Sequence, residues 1–178
     1  MIQYIKGNAT SPLMKDDELN VILHIVNNVQ AWGAGFVLAL SQKWEAPERE
    51  FRKEKLNLGD CQHIAVDTDL MVVNMCAQHD IGFLLLNGKN RERKIPNCQY
   101  DILWECLKQV RSLYECETRF HFPLIGAGLG GANWEIISNM LTSVLGDSDL
   151  FCYIYDDKTW ENYSHFHNSH LEKSEETF

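Results

Sequence analysis

The sequence has little positive charge and no long apolar run. Its 16 lysines and arginines stand against 25 acidic residues, a net charge of -9. That balance excludes a broad electrostatic grip on nucleic acid. It does not exclude a small anion, because backbone amides and helix ends can hold phosphate locally. No stretch is long and apolar enough to span a bilayer. The start, Met1-Ile2-Gln3-Tyr4-Ile5-Lys6, lacks the charged-then-apolar layout of a signal peptide and reads as a first strand. None of the six cysteines (Cys61, Cys76, Cys98, Cys106, Cys116 and Cys152) forms a Cys-x-x-Cys pair. Zinc and redox motifs are therefore poorly supported, and reduced, mostly buried thiols in a cytosolic protein are expected. No Gly-Lys-Ser/Thr follows a glycine loop, which excludes a P-loop. There is no internal repeat and no low-complexity block.

What is present is enough for one folded unit. A chain of 178 residues with 45% apolar content can bury a core without staples. Its centre is Asn27-Asn28-Val29-Gln30-Ala31-Trp32-Gly33-Ala34-Gly35-Phe36. An apolar, β-branched run, Val21 to Val26, leads in as a strand; Val37 to Lys43 leads out as a helix. Glycines at such a turn let backbone approach a ligand. The helix start leaves unpaired N–H groups beside the positive end of the dipole, which suits phosphate. A tight turn without a ligand would explain the same residues, but the motif has a partner later in the chain.

Ahead of this centre, Gly7-Asn8-Ala9-Thr10-Ser11-Pro12 breaks the first strand, and Asn8 is expected to cap the turn. Behind it, Trp44 and Pro47 interrupt, and Glu48 to Lys55 reads as a short, exposed, charged helix. Gly59 to Asp67 and Leu70 to Ala77 read as a hairpin joined at Asp67-Thr68-Asp69. The basic run from Asn87 to Lys94 reads as a solvated loop tip. Tyr100 to Cys116 is a helix with Ile102, Leu103, Cys106, Leu107, Val110, Leu113 and Tyr114 on one face. Arg119 to Pro123 is a short strand.

Next comes Leu124-Ile125-Gly126-Ala127-Gly128-Leu129-Gly130-Gly131, then a helix capped by Asn133 and closed by Gly146. The inward face of that helix is expected to be Ile136, Ile137, Met140, Leu141, Val144 and Leu145. Leu150 to Tyr155 is the last strand. From Asp156 onward the chain is polar, with six acids against two lysines. His165, His167 and His170 lie there, and no metal site is assigned to them. The alternation of strands and helices argues for α/β layering around a central sheet.

Gly126-x-Gly128-x-x-Gly131 matches the dinucleotide fingerprint and lies between a strand and a helix. The context is wrong for a Rossmann domain, in which that fingerprint follows the first strand; here one strand remains. Two glycine loops at the ends of parallel strands would instead form one cleft rich in backbone N–H groups. A diphosphate with a sugar or base at each end fits it.

These residues resemble the macrodomains, a family that binds ADP-ribose. The likeness covers the chain to about residue 155 and is carried by Lys6-Gly7-Asn8, His24-Ile25-Val26-Asn27, Trp32-Gly33-Ala34-Gly35 and Gly126 to Trp134. Within the family the pattern is most similar to the branch of the yeast ADP-ribose 1″-phosphate phosphatase, with the terminal ADP-ribose protein glycohydrolase nearby. The resemblance implies a three-layer α/β/α domain over residues 1–156 with a central mixed six-stranded sheet, followed by an acidic tail, 157–178.

It further implies that Asn27, Trp32, Gly33, Ala34, Gly35 and Phe36 line the distal ribose and diphosphate. Gly126, Ala127, Gly128, Leu129, Gly130 and Gly131 would cover the other side of the phosphates. Gly7, Asn8 and Ala9 match the adenine-side loop. Many macrodomains carry Asp where Asn8 stands, whereas the yeast-like branch carries Gly-Asn. Tyr155 is placed to stack on adenine, and Tyr153 belongs to the core.

The activity implied is hydrolysis of ADP-ribose 1″-phosphate to ADP-ribose and phosphate, without cofactor or metal, in the cytoplasm (a host's, if the chain is viral). His24 is the first catalytic candidate, with Asn27, Asn28 and His79 able to orient water or ribose hydroxyls, and Asp80 a weaker candidate. A histidine inside an apolar strand is also the ordinary form of a hydrogen-bonded core residue. The alternatives are removal of ADP-ribose from a protein or nucleic acid, and a non-catalytic reader. Gly130 stands where the glycohydrolase carries its aspartate, and Gln78-His79 stand near its lysine, so a lysine mechanism is disfavoured.

Overall fold

Ten strands and helices of a computed structural model build the sheet and its two covers; the structure describes residues 1–15, 17–81, 84–86, 93–95 and 97–163, with residues 84–86 and 93–95 described by their backbone alone. The strands of the main sheet are β1 (Ile2–Lys6), β2 (Asn20–Asn27), β3 (Cys61–Asp67) and β4 (Leu70–Gln78). A small hairpin follows, β5 (Leu84–Leu86) with β6 (Arg93–Ile95), before the last two, β7 (Arg119–Phe122) and β8 (Asp149–Ile154). The order across the main sheet is β1-β8-β7-β2-β4-β3. Every neighbouring pair is parallel except β3 with β4, so the sheet is mixed and six-stranded. The hairpin takes Arg93 and Lys94 out of the loop in which they were expected; residues 87–92 of that loop lie outside the described residues.

Alternation along β2 assigns the two faces. Val21 and Leu23 point into the larger core, under α3 (Tyr100–Leu113) and α4 (Trp134–Leu145). Ile22 and Val26 point into the smaller core, under α1 (Phe36–Lys43) and α2 (Ala46–Lys53). The result is the three-layer macrodomain-like α/β/α arrangement that the sequence suggested. Because β2 is covered on both sides, it reads as a continuous apolar run rather than an alternating one.

Several expectations need correction. Pro47 does not interrupt α2 but starts it, where a missing N–H is harmless. That helix is not simply exposed, because Phe51 is fully buried against the Trp32 ring. Helix α3 ends at Leu113 rather than Cys116, and Leu113 is exposed. On α4 it is Trp134, not Ile136, that faces inward with Ile137, Met140, Leu141 and Leu145. Asn133 caps α4 as expected, accepting the Glu135 N–H at 2.8 Å. Gly146 closes it in a right-handed conformation, φ -71°, not the left-handed one that favours glycine.

Residues 157–163, at the start of the acidic stretch, are helical. Asp156 caps them, accepting the Thr159 N–H at 2.8 Å. Trp160 and Tyr163 pack on the larger core, and Tyr163 stacks on Tyr4 with ring centres 5.8 Å apart. Lys6 makes an ion pair with Asp157. His165, His167 and His170 lie outside the described residues. All six cysteines are free thiols, with Cys76, Cys98, Cys106 and Cys152 buried. No described helix is long and apolar enough to cross a membrane.

Candidate functional site

Strands β8, β7, β2 and β4 run parallel, so their carboxyl ends open on one edge of the sheet. In open α/β sheets this edge is where ligands bind. A cavity of about 1020 Å³ lies there. Its walls come from the segments that leave β2, β7, β8 and β4. Both glycine loops contribute, through residues 33–37 and 124–130. They come close to each other, with Leu129 Cδ1 3.6 Å from the point a Cβ on Gly35 would occupy.

The first loop is held from behind. Asn27 donates from Nδ2 to the Ala31 carbonyl at 2.7 Å and accepts the N–H groups of Val29 and Ala31 on Oδ1. The Trp32 indole N–H donates to Ser41 Oγ, and the Ser41 hydroxyl donates to Glu48 Oε2, both at 2.7 Å. Arg52 pairs with Glu48. With its ends tied, the loop leaves residues 33–37 making no backbone N–H hydrogen bond to another described residue. Gly35 begins α1 with no side-chain cap. These are orphan donors at a helix start, an arrangement that suits an anion.

The second loop is tied at other points. Ala132 N–H donates to the Gly126 carbonyl, and Asn97 N–H to the Gly130 carbonyl. Gly126 has φ +67°, and a Cβ there would meet Cys98 Sγ at 2.9 Å, so the backbone lies too close to its neighbours for any side chain. The N–H groups of Gly126, Gly128, Leu129 and Gly130 find no described partner. Among the described residues lining the cavity there is no lysine or arginine, and one carboxylate, Asp156. Anionic charge would therefore meet backbone dipoles rather than cations.

His24 forms part of the cavity wall, yet it is almost wholly buried. Asn74 Nδ2 donates to the Pro47 carbonyl and to Gln62 Oε1, so its Oδ1 accepts the His24 Nε2–H, at 2.5 Å. The other ring nitrogen, Nδ1, then carries a lone pair and is buried beside the Ile25 backbone. Burial pushes the His24 pKa down to about 4, against smaller opposing effects of Asn74 and the Ile25 backbone. At neutral pH the ring is uncharged. Trp32 and Phe36 lie edge-on to it, with ring centres 5.8 and 5.9 Å away.

No protein-family model matches the chain, and no curated protein matches it. Solved structures do. A protein of unknown function from Bacteroides thetaiotaomicron is 35% identical over 86% of this chain and 97% of its own, with a TM-score of 0.74. A macrodomain protein from Streptomyces coelicolor is 28% identical over 88% of this chain and 100% of its own, with a TM-score of 0.68. The chain belongs to the macrodomain family. A Trypanosoma brucei macrodomain solved in complex with ADP-ribose shares the fold at 17% identity, over 92% of this chain and 68% of its own, with a TM-score of 0.56.

The macrodomain cavity gathers many of the residues singled out in the sequence. His24, Asn27, Gly33, Ala34, Gly35, Phe36, Gly126, Ala127, Gly128, Leu129, Gly130 and Tyr155 all line it. Others stand behind or beside it. Trp32 is buried under the first loop. Gly7 N–H donates to the Ile154 carbonyl, and Ala9 packs on Phe151 and Tyr153. Asn8 accepts the Thr10 N–H on Oδ1, the local cap expected of it. Asn28 accepts the Asp80 N–H on Oδ1 and so braces the turn after β4. His79 is exposed, and Gly131 follows the lining segment. Tyr153 is buried, its hydroxyl between the Leu13 N–H and His121 Nδ1, although its edge reaches the cavity.

Sequence reasoning missed the wall formed by Asp156, Thr159, Asn162 and Tyr163. The signal was there: a capping Asp three residues ahead of Thr159, with Trp160 and Tyr163 at helical spacing. Gln78 and Ile81 at the far end of the cavity were also missed.

Proposed function

We propose that this macrodomain binds ADP-ribose, its diphosphate held between the amides of residues 33–37 and those of Gly126, Gly128, Leu129 and Gly130. The observation that carries this reading is the pair of unpartnered amide rows in one cavity of dinucleotide size. The complex formed by the Trypanosoma brucei relative supports it. The distal ribose lies toward Asn27, and the adenine toward Tyr155. Gly7, Asn8, Ala9, Trp32 and Gly131 then act on the ligand through the backbone they hold.

The reaction we assign is hydrolysis of ADP-ribose 1″-phosphate, as in the yeast phosphatase branch that the sequence resembles. Water attacks phosphorus, the bond from phosphorus to the ribose oxygen breaks, and ADP-ribose and phosphate leave. The group assigned to take the water proton and pass it to the departing ribose oxygen is His24, whose uncharged ring borders the cavity beside the first loop. Asn27 and Asn28 hold the loops that place the ribose, since the described bonds occupy both ends of the Asn27 amide and the Asn28 carbonyl oxygen. His79 is exposed and lies outside the lining residues, so it is the weakest candidate.

The test is phosphate release from ADP-ribose 1″-phosphate, run beside calorimetry with ADP-ribose. Binding with turnover that His24→Gln abolishes is the expected result. Binding without turnover would make the protein a reader. Release of ADP-ribose from a modified protein or nucleic acid, without phosphatase activity, would favour the de-ADP-ribosylating alternative.

A further inference from the structure

Two cysteines meet outside the nucleotide cavity. Cys61 opens β3, which pairs with β4 alone and so forms an edge of the main sheet. Its register partner is Met75, and both pack on the larger core, under α3. Cys106 lies on the buried face of α3 with Leu103, Leu107 and Val110. Cys61 Sγ is 3.9 Å from the Cys106 carbonyl oxygen, against the turn of α3 that carries the second thiol. The approach is held from both sides. Gln109, at i+3 from Cys106, donates from Nε2 to the Gly59 carbonyl at 2.8 Å. The turn before β3 is closed by the Asn57 N–H donating to Asp60 Oδ2 at 2.7 Å and by the Asp60 N–H donating to the Asn57 carbonyl. Neither cysteine lines the cavity.

The two thiols differ in the way a reactive pair needs. Cys61 is partly exposed, and Cys106 is buried. Each is the leading influence on the other. The Cys106 side chain holds Cys61 below the usual thiol range, against burial and the Asp60 carboxylate. Cys61 in turn pushes Cys106 well up, and burial adds to it. The reachable sulfur is thus the better nucleophile, since thiolate is the reacting form. The other four cysteines do not compete for the pair. Cys76 points into the smaller core. Cys98 lies under Gly126, and Cys152 is in β8, four strand steps from β3. Cys116 is exposed beyond the end of α3, its thiol donating to Asp147 Oδ2 at 3.1 Å.

We propose that Cys61 and Cys106 form a thiol–disulfide exchange site, in which Cys61 reacts with a small-molecule disulfide and Cys106 resolves the adduct into a bond between β3 and α3. The Cys61 thiolate attacks one sulfur of the small disulfide. A sulfur–sulfur bond forms to Cys61, the oxidant's own bond breaks, and one small thiol leaves with the proton that Cys61 gave up. Cys106 then attacks the Cys61 sulfur, and the second small thiol leaves with the Cys106 proton. Two cysteines are oxidised, and one disulfide is reduced to two thiols. The first step consumes the Cys61 thiol that pushed Cys106 up, which readies Cys106 for the second. An excess of small thiol runs both steps backward.

The test is thiol mapping on the full chain. Wild type is incubated with oxidised glutathione, quenched with an alkylating agent and digested without reductant. The expected product is a Cys61–Cys106 cross-link, with the chain lighter by two hydrogens and two alkylatable thiols lost beyond any adduct at Cys116. Excess reduced glutathione should restore both thiols. Cys106→Ser should stop at a lasting glutathione adduct on Cys61, and Cys61→Ser should leave Cys106 unmodified. A glutathione adduct that persists on Cys61 in wild type, a bond joining another pair, or no reaction at Cys61 would overturn the proposal. The wild-type map decides the matter even where a serine variant fails to fold. ADP-ribose enters none of these readouts, so the site stands or falls apart from nucleotide binding.

Discussion

Leu129 closes over Gly35: its Cδ1 lies 3.6 Å from where a Gly35 Cβ would project, in ordinary van der Waals contact. The two glycine loops thus meet across the cavity, and neither could move off without opening it. Gly35 has φ 76° and ψ -147°, a conformation essentially confined to glycine. Gly35→Ala should destabilise the fold by about 1–3 kcal/mol through backbone strain alone. Because the strain falls on the residue that starts α1, ADP-ribose affinity should fall with it. Leu129→Ala should leave stability within about 0.5 kcal/mol, since Leu129 is exposed. Thermal melts and calorimetry on both variants separate the two effects; an undiminished affinity in Gly35→Ala would detach the loop from binding.

The Trp32–Ser41–Glu48 chain predicts an effect at a distance. Ser41 accepts from the indole and donates to the carboxylate, so its loss strands the buried indole N–H and leaves Glu48 held by Arg52 alone. Ser41→Ala should cost about 1–3 kcal/mol of stability, the usual penalty for stranding a partly buried polar group. It should also weaken ADP-ribose binding several-fold, because Trp32 directly precedes residues 33–37. Ser41→Thr keeps the hydroxyl and should recover most of the affinity. Equal losses in the two variants would mean that the hydrogen-bond chain does not position the loop.

Much of this site could be read from the sequence because glycine spacing and strand-to-helix switches are local signals. The two loops, the Asn133 cap and the core role of Tyr153 depend on neighbours in the chain or on a strand's own pattern. What could not be read depends on packing at long range. Trp134 and Ile136 are equally apolar, and only the Tyr4 hydroxyl, accepting the Trp134 indole N–H at 3.0 Å, shows which one turns inward. Phe51 lies in a helix so charged that it reads as exposed, yet it fills the space beneath Trp32. Residues 157–163 have a polar composition, and the stack of Tyr163 on Tyr4, far apart in sequence, ties them to the core.

Two buried histidines predict acid lability. Burial pushes His24 down to about 4 and His121 down to about 3, the latter with a further contribution from Arg119. His121 is held neutral between Asn20 and Tyr153, each at 3.0 Å. Both pKa values are depressed relative to the unfolded chain, near 6.5. The stability they confer is complete above that pH and is lost as pH falls through the window down to about 4 and about 3, because the unfolded chain takes up protons that the fold refuses. For His24 alone the loss is on the order of 3 kcal/mol. Melting temperature should fall steadily between about pH 6.5 and pH 4, and His24→Gln should flatten part of that slope. A slope identical in the variant would assign the lability to other groups.

Salt dependence should distinguish amides from cations as the grip on the diphosphate. A cluster of lysines or arginines loses affinity steeply as salt rises, because each cation–phosphate contact is screened and trades against counterions. Here the described lining has no such residue, and the chain carries a net charge of -9. The long-range force on an anionic ligand is therefore repulsive, and salt weakens the repulsion. Against this, salt also screens the helix-start dipole of α1, an effect that falls off within one turn. The two oppose each other, so ADP-ribose affinity measured by calorimetry should change less than about threefold between roughly 50 and 300 mM sodium chloride. A fall of more than about tenfold over that range would mean that cationic side chains, not the backbone of the two glycine loops, carry the phosphate contact.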